Sequence, residues 1–209
     1  MFKKRSMIVM TAMVIGAAIL LSGCESKGNN AEGQQMEEQT DGDQNAASDQ
    51  DADVPGSGLT FTTQDIYGNT VTQDIFKDYD LTLVNLFATW CSPCIAEMPE
   101  LAQLQKNMAE KNVNVVAVCL DSLNNAGELD LEALALAQQI DELSGAEFMF
   151  LVPDETYFNG RLIGIQAVPE SFFVDSDGNI VGETYVGARD LATWTDVVEQ
   201  ELVNLSKIE

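Results

Sequence analysis

Hydrophobic and polar positions divide the chain into stretches of different texture. Residues 6–21 are apolar almost throughout, behind the basic start Met1-Phe2-Lys3-Lys4-Arg5. Residues 25–57 hold Asn, Gln, Gly, Ser, Asp and Glu, with Met36 and Val54 as the large apolar exceptions. From Gly58 onward the apolar residues recur with the spacing of folded elements. Short strands are predicted over 59–63 and 70–72, around the turn Tyr67-Gly68-Asn69. The unbroken run Leu81-Thr82-Leu83-Val84-Asn85-Leu86-Phe87 predicts a central strand buried on both faces. Ile95, Met98, Leu101, Ala102, Leu104 and Met108 then mark the inner stripe of a helix from about Ser92 to Lys111, kinked at Pro99. A second buried strand over 112–120 completes a right-handed parallel βαβ unit.

The remainder alternates in the same way. A polar loop over 121–130 leads to a helix over 131–143, with Leu134, Ile140 and Leu143 inward. A strand over 147–152 and a short helix over 156–163 follow. Residues 171–175 and 180–186 form a hairpin about Asp177-Gly178. Asp190 caps a last helix with Leu191, Trp194, Val197, Val198, Leu202 and Leu205 facing in. The fold class predicted is α/β: a central mixed sheet flanked by helices, with an N-terminal β-hairpin and an inserted helix.

Composition narrows the chemistry. The 209 residues include 34 acids and 10 bases, a net charge of −24. Such a surface repels nucleic acid and anionic headgroups. The chain has no histidine, which removes Ser-His-Asp triads, Cys-His dyads and His-ligated metals. Its cysteines are Cys24, Cys91, Cys94 and Cys119. Cys91 and Cys94 stand where the strand ending at Phe87 hands over to a helix. Unpaired N–H groups at a helix start favour a thiolate over a thiol, so the pair points to redox chemistry. The same spacing suits two ligands of a zinc site or a small structural disulfide, although a zinc site lacks further histidine donors. Cys119 reads as an apolar core residue of its strand. A peroxidase pattern, Pro-x-x-x-Thr/Ser-x-x-Cys, is absent: Ala88 and Val84 stand at those places before Cys91.

The element order, with Trp90-Cys91-Ser92-Pro93-Cys94 after the first long strand, resembles the thioredoxin fold, in its TlpA/ResA-like branch. The resemblance covers about residues 58–206. It also rests on Glu97, Pro99, the distant Val168-Pro169 before a strand, Asp177-Gly178 and Gly187. It implies an extracytoplasmic thiol-disulfide oxidoreductase with no cofactor beyond a Cys91–Cys94 redox disulfide, and no metal. Cys91 would attack a client disulfide and Cys94 would resolve it. Glu97, one turn after Cys94, would take the Cys94 proton. Pro169 would be cis, with Val168 and Trp90 lining the client site. Glu170 reads either as a residue that colours client choice or as an exposed loop acid. Thioredoxin has a strand aspartate where this chain has Asn85, which makes Glu97 the better proton acceptor. A tethered peptide-binding module without catalysis is the competing reading.

Leu21-Ser22-Gly23-Cys24, behind the apolar stretch, resembles a bacterial lipoprotein signal. It implies cleavage of residues 1–23, a lipid on Cys24, and localisation outside the cytoplasm on the cell membrane. The alternative is an uncleaved membrane anchor. Residues 24–57, with nine acids and Lys27 as the one base after Cys24, read as a disordered acidic leash. Residues 58–209 form the folded domain. By the TlpA/ResA-like resemblance the expected partners are thiol or disulfide client proteins, such as apocytochrome c or a methionine sulfoxide reductase. That resemblance also implies an integral membrane electron donor, while the acidic surface predicts no nucleic-acid partner; a monomer is expected.

Overall fold

The computed structural model describes residues 58–207. The expectations for the signal peptide, the Cys24 lipid and the acidic leash lie outside the described residues.

The first elements are a small antiparallel hairpin, β1 (Thr62–Gln64) and β2 (Thr70–Thr72). It opens into a 3-10 turn at Gln73–Phe76. Next come β3 (Leu81–Phe87), α1 (Ser92–Met108), β4 (Val113–Cys119), α2 (Leu131–Ser144) and β5 (Met149–Leu151). The chain ends in β6 (Glu170–Asp175), β7 (Ile180–Val186) and α3 (Leu191–Leu205). The main sheet runs β5-β4-β3-β6-β7. β3, β4 and β5 are parallel, while β6 lies antiparallel to β3 and β7 antiparallel to β6. This is the expected mixed sheet of the thioredoxin fold. The hairpin fastens to the sheet's outer edge, where Ile66 N donates to Phe150 O at 2.9 Å and Val152 N to Gln64 O at 3.0 Å.

Strand alternation sorts the core into two layers. Leu81, Leu83 and Phe87 face Met98, Leu101 and Leu104 of α1 and Trp194 and Val198 of α3. Val84 and Leu86 face the other way, with Phe61, Phe76, Phe158, Phe172 and Val174. Every residue of β3 and β4 is buried, which explains their continuous apolar character. Burial of each large side chain contributes about 2 kcal/mol. Asn85 shares the α1 and α3 side of β3 and is the polar interruption in that layer.

Caps set the helix limits. Asp130 accepts from Glu132 N and Ala133 N at the start of α2, and Gly145 ends it at φ +67. Asp190 accepts from Thr193 N at the start of α3. Glu201 of α3 is buried against β7, where it accepts from Tyr185 Oη at 2.5 Å and from Glu183 N at 3.3 Å. Gly182, at φ +67, leaves room for that carboxylate: any Cβ there would overlap it.

The structure corrects several sequence expectations. Residues 156–163 are not a helix. Tyr157, Phe158, Asn159 and Gly160 all have positive φ, so the backbone winds left-handed. Buried Asp154 holds that winding, accepting from Phe158 N at 2.6 Å and Thr156 Oγ1 at 2.6 Å. Phe158 is thereby pressed onto Phe61, with ring centroids 4.3 Å apart. Leu143 points outward, 86% exposed, because Ala133, Ala137 and Ile140 form the buried face of α2. Ile95 is likewise exposed at the start of α1. Residues 59–61 are not paired in a strand; Leu59 N bonds Gly178 O and drops Leu59 and Phe61 into the core.

Candidate active site

β3 ends at Phe87, and Ala88-Thr89-Trp90 carry the chain to the first turn of α1. Asp121 braces this passage. Its carboxylate accepts from Thr89 N at 3.0 and 3.1 Å and from Thr89 Oγ1 at 2.6 Å. Cys91 is the N-cap of α1, with extended φ and ψ, and its sulfur accepts from Cys94 N at 3.2 Å. Pro93 occupies the first turn, where a missing N–H leaves nothing unpaired. Cys91 and Cys94 are joined as a disulfide, with Cα atoms 5.3 Å apart. Cys91 is 4% exposed and Cys94 is fully buried. Trp90, beside them, is 73% exposed and takes no part in the core. On reduction, the sulfur at the N-cap lies in the positive field of the helix start.

The far side of the site comes from the turn before β6. The Val168–Pro169 peptide is cis. The Val168 carbonyl oxygen lies 3.6 Å from Cys91 Sγ. Pro169 is buried, and its carbonyl accepts from Gly187 N at 2.8 Å, tying the turn to the end of β7. Glu170, at the start of β6, is not a free loop acid. Arg161 pairs with it at 3.0 Å, and the Arg161 guanidinium lies 4.1 Å over the Phe172 ring. The two side chains are only 18% and 12% exposed.

Beneath the disulfide lies Glu97, 2% exposed. Its Oε1 accepts from Arg189 N at 2.7 Å and from Trp194 Nε1 at 2.8 Å. Its Oε2 accepts from Asn85 Nδ2 at 3.2 Å. Asn85 Nδ2 also donates to Ser171 Oγ at 3.0 Å. Burial pushes the carboxyl above its ordinary value; the three donors and the Arg189 charge hold it partly back. Donors from β3 and from the entry and first turn of α3 thus meet the carboxylate carried by α1, and β6 joins them through Ser171 on Asn85.

Cys119 is buried at the end of β4, its thiol donating to Asp121 Oδ1 at 3.3 Å. Burial, then the Asp121 charge, pushes that thiol far above its ordinary range. Among the described residues no group of three or more His, Cys, Asp or Glu side chains is gathered for a metal ion.

Sequence reasoning singled out Cys91, Cys94, Glu97, Trp90, Val168 and Pro169, and these meet at one end of the sheet. It missed Trp194 and Arg189 as donors to Glu97, and Asp121 as the brace of the cysteine loop. A partial signal existed: a buried indole N–H needs an acceptor, and Trp194 lies on the inner stripe of its helix.

A family model described as Redoxin matches residues 50–198. The thiol-disulfide oxidoreductase ResA of Oceanobacillus iheyensis is 36% identical over 101 residues, 47% of this chain and 45% of the relative. The thiol:disulfide interchange protein DsbE of Pseudomonas fluorescens biotype C is 32% identical over 114 residues, 54% of this chain and 56% of the relative. The aligned segments therefore span about half the length of these two relatives. The crystal structure of a thioredoxin family thiol:disulfide interchange protein from Chlorobium tepidum TLS superposes with a TM-score of 0.55 at 27% identity. That superposition covers 69% of this chain and 94% of the other.

Proposed function

The chain belongs to the redoxin family, and on that premise we propose that it is a thiol-disulfide oxidoreductase that reduces disulfides in client proteins. The observation that carries this reading is the Cys91–Cys94 disulfide at the N-cap of α1, its outer sulfur 3.6 Å from the Val168 carbonyl. In the reduced enzyme the Cys91 thiolate attacks one sulfur of a client disulfide. A mixed disulfide forms and the first client thiolate leaves. Cys94, having given its proton to Glu97, attacks Cys91 Sγ and expels the second client thiolate. Two electrons pass from the dithiol to the client, and the Cys91–Cys94 bond forms. Trp90, Val168 and Pro169 line the surface where an extended client segment lies against Cys91.

The setting belongs to the same proposal. A lipid on Cys24 holds the domain outside the cytoplasm at the cell membrane. An integral membrane donor returns two electrons to the pair. Apocytochrome c and methionine sulfoxide reductase are client classes that fit the motif's resemblance.

Insulin reduction driven by dithiothreitol, with Cys94→Ala used to trap clients on Cys91, tests the chemistry. Turnover and a mixed disulfide at Cys91 are expected; the absence of both would sink it. The reduction potential tests the direction: a value near roughly −270 mV fits a reductase, and one near −120 mV makes the chain an oxidant instead.

A further inference from the structure

The two oxygens of Glu97 meet different neighbours. Oε1 already accepts from a backbone amide, Arg189 N, and from an indole, Trp194 Nε1. Neither donor can reverse its polarity. A proton arriving on the carboxyl therefore goes to Oε2. There it meets Asn85 Nδ2, 3.2 Å away, and sets an O–H against an N–H. Meanwhile Asn85 Oδ1 is buried with no hydrogen-bond partner among the described residues, a rare condition for a side-chain acceptor. Among the described residues Nδ2 also bonds Ser171 Oγ, and a hydroxyl can donate as readily as it accepts.

We propose that Asn85 is a positioning residue whose amide takes two orientations, one for each protonation state of Glu97. With Glu97 ionised, Nδ2 donates to Oε2 and to Ser171, as seen. With Glu97 protonated, a half-turn about χ2 exchanges Nδ2 and Oδ1. Oδ1 then accepts from Glu97 Oε2–H and from Ser171 Oγ–H. The proton moves from the Cys94 thiol to Oε2, and no electron moves. The turned amide holds the proton on Oε2 until it is released.

The inference rests on the reading that Glu97 takes the Cys94 proton. The other groups around the carboxyl do not compete for this role. The Arg189 guanidinium lies 5.2 Å from the Trp194 and Tyr185 rings. Tyr185 Oη is committed to Glu201, and Glu100 accepts from Leu191 N. Cys94 is the one thiol on the same helix face.

The test follows the Asn85 side-chain amide by NMR in the full chain with the disulfide intact. Above the Glu97 titration, the Nδ2 protons are expected to show proximity to the Ser171 and Glu97 side chains. Below it, those contacts are lost. In Glu97→Gln, the new side chain keeps its oxygen toward Arg189 N and Trp194 Nε1. Its NH2 then faces Asn85, so the turned orientation is expected at every pH. In Asn85→Asp, the midpoint of the Glu97 carboxyl signal is expected to rise by about one pH unit or more, since a carboxylate replaces a donor. An amide that keeps one orientation through the titration and in Glu97→Gln overturns the proposal, as does an unmoved midpoint in Asn85→Asp. A turning amide in a protein that fails to reduce insulin overturns the reductase reading alone. A fixed amide in an active reductase overturns this inference alone.

Discussion

At the scale of single residues, Glu97 carries a cost that pH reveals. Its carboxyl is raised in the fold by burial. Between the ordinary glutamate range and the raised value, the native state keeps a proton that the unfolded chain has released. Its contribution therefore favours folding at low pH and is lost as pH rises through the native value. Urea unfolding of wild type and Glu97→Gln across pH 4 to 9 checks the sign. The wild type is expected to lose stability relative to the variant as pH rises, and a constant difference would count against a raised carboxyl. Gly182 gives a second case. Gly182→Ala combines φ +67 with an overlap on the Glu201 carboxylate, which Tyr185 and Glu183 hold in place. A loss of about 1–3 kcal/mol, with an unchanged m-value, is expected in the same measurement.

At the scale of elements, the segment between β5 and β6 holds the turn that faces Cys91. Asp154 fixes its beginning through Phe158 N and Thr156 Oγ1, and Arg161 fixes its end through Glu170. Asp154→Ala leaves a buried amide unpaired, a loss of about 1–3 kcal/mol by chemical denaturation. Insulin reduction is expected to weaken with it, because the Val168–Pro169 turn hangs from this segment. The segment is also where the sequence misled. Its apolar spacing at Phe158, Leu162 and Ile165 is that of a helix, but the local bonds of Asp154 and the distant Phe61 ring turn it left-handed. β3 and β4 were legible as unbroken apolar runs, α1 from its 3.6-residue spacing, and the β6–β7 hairpin from its Asp177-Gly178 turn. The cysteine pair was legible from spacing alone. The donors to Glu97 were not, because Asn85, Arg189 and Trp194 meet only when β3 and α3 pack on α1. Leu143 was misplaced because alanines supply the buried face of α2.

At the scale of the whole molecule, the excess of acidic side chains sets which peptides the proposed reductase would meet most readily. A net charge of −24 favours approach of basic segments and slows acidic ones. Reduction of a basic disulfide peptide is expected to lose about tenfold in kcat/KM between low and high salt, while a neutral peptide changes little. Equal salt dependence for both peptides would count against steering. The buried Cys119 has a different consequence. A thiol reagent reaches it only when β4 opens, and its high-lying ionisation slows reaction further. Cys119 is thus a built-in clock of opening. Its labelling rate, read on its own peptide by mass spectrometry, reports how often β4 comes away from its neighbours in the sheet. Comparing that rate before and after Cys91–Cys94 is reduced measures whether breaking the disulfide changes the opening of β4.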